Sequence, residues 1–144
     1  MGPSIFIMNK TIGFTCGTFD LFHAGHVSML REVKQKCDHL IVGIQTDPTI
    51  DRPEKNKPVQ SVIERQIQVS ACRYVDETIV YTTEEDLLTI LKTIPIKFRF
   101  VGAEYEDRAD FTGKKLTNGP IIIYNKRDHA FSSSSLRQRV VDAN

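Results

Sequence analysis

The stretch TIGFTCGTFDLFHAGH, residues 11–26, holds an apolar run, a glycine break and the start of a helix-period segment. Thr11–Cys16 reads as a β-strand. His26–Cys37 reads as an α-helix whose Val27, Leu30, Val33 and Cys37 share one face. A strand, a short glycine-bearing loop and a helix make the first unit of a parallel sheet, and in such sheets ligands bind beyond the carboxyl ends of the strands. The loop is therefore the first candidate site. Gly17 permits a tight exit from the strand, and Gly25 permits close approach of backbone to a ligand. His26 would open the helix, where free N–H groups and the positive end of the dipole attract anions. His23 and His26 can lie on one side of that turn, and two imidazoles aimed at a phosphate suit a reaction in which negative charge grows on phosphorus oxygens.

Two other readings compete for these histidines. A His-x-x-His pair is half of a metal site, but no other His or Cys is spaced to complete four ligands. Each residue could also be a hydrogen-bonded structural histidine, and the glycines and the strand-to-helix position weigh against that.

Working outward, His39–Gln45 is a second strand, apolar at nearly every position as a doubly covered strand should be. Thr46–Gln60, with three prolines among charged residues, is a loop long enough to expect function or mobility. Ser61 with Glu64 forms a capping box, and Ile63, Ile67 and Ser70–Ala71 continue a helix to about Tyr74. Thr78–Tyr81 is a third strand. Glu84–Ile94 is a third helix with Leu87, Leu88 and Leu91 inward and Pro95 as its stop, and Phe98–Gly102 is a fourth strand. Residues 104–118 are polar and irregular, Pro120–Tyr124 is a fifth strand, and Ser133–Val141 a last helix capped by a serine. The fold class is α/β: a Rossmann-like open parallel sheet of five strands with helices on both faces.

The 144 residues suit one domain, taken as 11–144, with 1–10 set aside as an N-terminal extension or start-site remnant because Met8 follows Met1 so closely. With 19 Lys and Arg against 18 Asp and Glu, the net charge of +1 disfavours a nucleic-acid partner. No apolar run approaches the ~20 residues of a membrane span. The start MGPSIFIMNK lacks a leader pattern, and three widely spaced cysteines indicate neither a disulfide framework nor a zinc ribbon, so a cytoplasmic location is expected.

GTFDLFHAGH, residues 17–26, resembles the HxGH signature of the nucleotidyltransferase superfamily, and its GTFD opening is most similar to the cytidylyltransferases. RDHAFSSS, residues 127–134, resembles that group's R-T-x-G-I-S-T-T segment, with Asp128, Ala130, Ser133 and Ser134 as departures. Between them Gln45-Thr-Asp47, Lys57-Pro-Val59, Glu64-Arg65 and Arg73-Tyr-Val-Asp-Glu77 are similar to further family segments, and Gly102-Ala-Glu104-Tyr105 keeps an acid and an aromatic where the family usually has a second acid. Within the group, the short single-domain form is most similar to the glycerol-3-phosphate cytidylyltransferases.

The resemblance implies attack by a substrate phosphate on the α-phosphorus of CTP with Mg2+, expelling pyrophosphate. The implied catalytic residues are His23, His26, Lys57 and Arg127. Gly17, Thr18, Phe19, Gly25, Glu104, Tyr105, Ser132, Ser133 and Ser134 would bind nucleotide, and Lys55, Lys57 and Arg65 the accepted phosphate. Simpler roles stand beside several of these: Lys55 as a solvated lysine, the serines as a linker, Arg65 as a partner for a helix acid. Asp20 would position a magnesium-bound triphosphate or cap its turn, and the metal ligands are left open. The acceptor is expected to be a small alcohol phosphate, foremost glycerol 3-phosphate, since a chain without Trp is poorly supplied for an aromatic cage around choline. The resemblance also implies a homodimer. ATP-dependent adenylyl transfer on the same fold, or a nucleotide-binding module without turnover, are the alternatives.

Overall fold

A computed structural model describes residues 10–126 and 131–143. Its strands are β1 (Ile12–Gly17), β2 (His39–Gln45), β3 (Glu77–Tyr81), β4 (Phe98–Gly102) and β5 (Ile121–Asn125). Its helices are α1 (Ala24–Lys34), α2 (Val62–Ser70), α3 (Glu84–Thr93) and α4 (Ser133–Ala143), with a 3-10 turn at Ala103–Tyr105. The strands form one parallel sheet in the order β3-β2-β1-β4-β5. This is the expected α/β architecture. Among the described residues no helix is long and apolar enough to cross a membrane.

Side-chain alternation assigns the two faces. Leu40, Val42 and Ile44 of β2 pack with Leu30 and Val33 of α1, Val69 of α2 and Phe100 of β4. Ile41 joins Ile12, Phe14 and Tyr81 against Leu87 and Leu91 of α3 on the other face. Burial of such side chains contributes about 1.5–3 kcal/mol each, which is why the strand buried on both faces is apolar from Leu40 to Ile44.

Chain order reverses across the sheet between β1 and β4, so the connections from their upper ends diverge. β1 pairs with β2 from Ile12 to Gly17, but with β4 only at Gly13–Phe98 and Phe14–Arg99. Above that point the Thr15 hydroxyl donates to the Phe100 carbonyl at 3.2 Å in place of a ladder bond. The strands part there, and a cleft opens at the switch point.

Two helices differ from expectation. α1 begins at Ala24, two residues before His26, because His23 is its N-cap. α2 ends at Ser70 rather than near Tyr74, and it buries Arg65 and Val69 while Ile63 and Ile67 are 66% and 64% exposed. The cause is Arg65, itself only 2% exposed. Its Nε donates to the carbonyls of Gln60 and Ser61, Nη1 to those of Thr18 and Gln45, and Nη2 to that of Thr46. These carbonyls end β2 and line the loops after β1 and before α2, and of them Ser61 alone also takes a helix bond, from the Arg65 N–H at 3.1 Å. Arg65, expected at the accepted phosphate, is thus a buried tie between three segments. Desolvation by burial lowers its pKa from the ordinary arginine value, partly offset by the charges of Asp20 and Asp47.

Replacing Arg65 by Met would orphan several buried carbonyls at roughly 1–3 kcal/mol each. The expected loss is about 3 kcal/mol or more, or roughly 10 °C in Tm for a chain of this size, with Arg65→Lys in between; calorimetric unfolding of the three proteins checks it.

Candidate active site

The cleft has a volume of about 1070 Å³ and its walls come from the upper ends of β1, β2, β3 and β4, the start of α1, the loop after β2 and the segment after β4. Its centre is the N-terminus of α1. The His23 Nδ1 accepts from the Gly25 N–H at 3.0 Å, while the His26 Nδ1 accepts from the His23 N–H at 3.2 Å. This is a reciprocal capping box built from two imidazoles instead of the usual hydroxyl and carboxylate. With each Nδ1 occupied as an acceptor, assignment of the network places the ring proton on Nε2. The two rings stack at 3.9 Å, with Phe22 against His26 at 5.5 Å and Phe19 at 5.3 Å. Their orientation is therefore set before any ligand arrives.

The turn leading into that cap is strained. Phe19 and Leu21 have φ of 53° and 51°, a conformation costing roughly 1–3 kcal/mol at a residue other than glycine unless the surroundings impose it. Asp20 between them imposes it. Its carboxylate accepts from the N–H groups of Val59 and Gln60, both at 2.9 Å, and from Arg137 of α4 at 2.7 Å. The Gln60 side chain returns the contact by accepting from the Leu21 N–H. Burial by itself would raise the Asp20 carboxyl, but the Val59 and Gln60 donors and the Arg137 guanidinium hold it below the ordinary range.

Most of the expected nucleotide residues meet in the cleft, Gly17, Thr18, Phe19 and Gly25 from the first loop and Glu104 and Tyr105 from the 3-10 turn after β4, together with the expected catalytic His23 and His26. Tyr105 is covered by Arg108 at 4.1 Å and meets Phe111 edge-on at 5.7 Å. Lys55 is in the wall. Lys57, expected as the bridging cation, is not; its side chain is 80% exposed and pairs with Asp47 at 3.7 Å. Ser132 caps α4 by accepting from the Ser135 N–H, and neither it nor Ser134 lines the cleft. Arg127 and the side chain of Ser133 lie outside the described residues.

The structure also brings in residues that the sequence reading missed. Arg137 bridges α4 to Asp20, and Arg52 lies 3.9 Å from Glu84 where the long loop meets α3. The Asp51 carboxylate accepts from the Glu84 N–H at 2.6 Å, so the loop is anchored at the α3 N-terminus. A cation on the last helix and one in a charged loop give no periodic signal, and the Asp51 contact spans 33 positions, so none of the three was readable.

The family model described as cytidylyltransferase-like matches residues 14–139. The bifunctional protein HldE of Rhodospirillum rubrum is 34% identical over 134 residues, covering 90% of this chain and 26% of that protein. The ethanolamine-phosphate cytidylyltransferase of Arabidopsis thaliana is 48% identical over 65 residues, covering 44% and 15%. The chain thus spans about a quarter or less of these curated relatives. Among solved structures, the lipopolysaccharide core biosynthesis protein of Thermoplasma volcanium aligns with a TM-score of 0.59 at 19% identity over 94% of this chain and 89% of that one, a likeness of fold.

Asp20→Asn would lose the charge that Arg137 pairs with and turn an amide NH2 towards the Val59 or Gln60 donor. The expected cost at neutral pH is about 2 kcal/mol. Because the folded carboxyl sits below its unfolded value, this stability is full above the unfolded range near pH 4 and is lost as pH falls through the lower folded value. The gap between wild type and Asp20→Asn in urea unfolding should therefore hold from pH 7 to about 5 and close towards pH 2; a gap independent of pH would contradict the assignment.

Proposed function

Because the chain belongs to the cytidylyltransferase-like family, we propose that it transfers CMP from CTP to the phosphate of a small phosphorylated alcohol, foremost glycerol 3-phosphate, releasing pyrophosphate. The observation that carries this is the two-imidazole cap on α1, which presents two Nε2–H donors beside a helix N-terminus in the cleft at the sheet's switch point.

An oxygen of the acceptor phosphate attacks the α-phosphorus, the P–O bond to the β-phosphate breaks, and pyrophosphate leaves with that electron pair. A phosphate monoester has a second pKa of about 6 and is already an anion at neutral pH, so the protein supplies alignment and charge stabilisation rather than a strong base. His23 and His26 donate to the triphosphate oxygens, and the α1 N-terminus adds its amides. Lys55 is a loop cation at the cleft beside Arg52, and Lys57 rides on the same loop. Glu104 and Tyr105 offer a carboxylate and a ring to the base. Mg2+, bound with the nucleotide, would supply charge neutralisation at the triphosphate. The residues fit an ion carried by the ligand: Asp20 already accepts from three donors, and among the described residues no three acid, His or Cys side chains gather to hold a metal themselves. A homodimer belongs to the same reading, with the exposed Ile63 and Ile67, one turn apart on α2, offering it an apolar surface.

The test is pyrophosphate release with magnesium, crossing CTP and ATP against glycerol 3-phosphate and ethanolamine phosphate. CTP-dependent turnover with glycerol 3-phosphate is expected. Turnover with ATP alone would overturn the nucleotide assignment, turnover with ethanolamine phosphate alone the acceptor, and silence throughout the transfer itself. His26→Ala should lower kcat/KM by a factor of about 100 or more, and a value within threefold of wild type would remove His26 from the mechanism.

A further inference from the structure

The cleft contains a second buried arginine whose circumstances are the reverse of those of Arg65. Arg99 on β4 is 5% exposed and lines the cleft. It points to the sheet face opposite Phe98 and Phe100, which pack on the α1 and α2 side. One Nη donates to the Thr112 carbonyl, and the guanidinium lies over the Phe111 ring at 5.4 Å. Its Nε is buried without a hydrogen-bond partner. None of the ion pairs among the described residues includes it.

A buried guanidinium without an anion carries an uncompensated desolvation cost. The Thr112 carbonyl and the Phe111 ring offset part of that cost, and among the described residues no carboxylate within 4 Å offsets the rest. The Cys16 thiol beside it is pushed up by burial, and so is the Tyr81 phenol, so both stay neutral. The position is nevertheless built. Gly113, at φ 81°, lets the chain pass so close that a Cβ there would lie 2.8 Å from Arg99 Nη1 and 2.6 Å from Leu91 Cδ1. Arg65, by contrast, has all three of its nitrogens engaged, donating to five carbonyls in total.

We propose that Arg99 anchors the phosphate of the acceptor substrate. This rests on the transfer reading above and supplies the acceptor-phosphate cation that Arg65 does not. In-line displacement requires nucleophile and leaving pyrophosphate on opposite sides of the α-phosphorus. The α1 N-terminus with His23 and His26 holds the triphosphate, and Arg99 lies on the other face of the sheet, on the α3 side, where the acceptor would enter. The fork of a guanidinium matches a phosphate dianion.

Calorimetric titration of glycerol 3-phosphate, glycerol, inorganic phosphate and magnesium–CTP, each alone, into wild type, Arg99→Met and Arg99→Lys separates the possibilities. The expected result is that Arg99→Met weakens glycerol 3-phosphate and inorganic phosphate at least tenfold, leaves CTP within twofold, and that Arg99→Lys restores part of the loss. In turnover the same split should appear as a raised KM for the acceptor with the KM for CTP unchanged. Equal weakening of CTP and glycerol 3-phosphate would mean a merely structural arginine, selective loss of CTP would place the nucleotide there, and glycerol bound as well as glycerol 3-phosphate would deny an anion site; each overturns the proposal. If Arg99→Met does not fold, Arg99→Lys carries the same comparison with a smaller expected change, about threefold, and no change overturns the proposal. Wild type that releases no pyrophosphate with any pair, yet shows the phosphate-selective loss in Arg99→Met, would overturn the transfer reading and leave the anion anchor standing.

Discussion

Everything at the cleft depends on how the Asp20 carboxylate is satisfied. A charge this buried is tolerated only when paired and hydrogen-bonded, and three of its donors come from two distant parts of the chain: two adjacent backbone amides ahead of α2 and a guanidinium on α4. Satisfying one carboxylate therefore docks the long loop's end, the last helix and the turn after β1 against each other. The same bonds hold Phe19 and Leu21 in left-handed conformations, which re-aim the chain so that His23 arrives as an N-cap. Arg65 performs the complementary task by donating to carbonyls of the same segments. One anion collects donors and one cation collects acceptors, and the cleft is the space they hold open.

The strands were the most legible part of the fold, for a physical reason. β2 is covered on both faces, so an apolar run marks its extent, β4 is apolar on one face around Arg99, and both occur at the expected residues. α2 was harder to read. Ile63 and Ile67 suggest an inward stripe, yet the inward position belongs to Arg65, because unserved carbonyls lie beneath it. Hydrophobic periodicity assumes that the core wants apolar groups, and it fails where the core contains backbone acceptors.

The candidate site divides in the same way. The HxGH loop was readable because glycine, histidine and a helix start lie within a few residues of one another. The role of His23 as a cap was hidden, since capping preferences rank Ser, Thr, Asp and Asn first. Arg99 and Arg137 were invisible: their partners are 13 and 117 positions away, and neither residue type nor spacing announces a contact of that range. Local chemistry can be read from a local segment, whereas the charges that complete it are placed by the sheet topology.

That division bears on how the cleft would handle two phosphates at once. In the cap, a proton on either Nδ1 would face a backbone N–H, so the imidazoles serve best as neutral, fixed Nε2–H donors. Fixed neutral donors orient phosphate oxygens but do little to offset the mutual repulsion of two polyanions. The offset has to come from permanent cations, and Arg31, Arg52, Lys55, Arg99, Arg108, Lys126 and Arg137 are in the cleft wall. Arg137 is already paired with Asp20, and Arg52 lies near Glu84. Arg99, the most deeply buried of these cations, has no carboxylate within 4 Å among the described residues, so its charge is open to a ligand. Orientation by capped histidines and neutralisation by a buried arginine are then separate functions, placed on opposite faces of one sheet and meeting where β1 and β4 part.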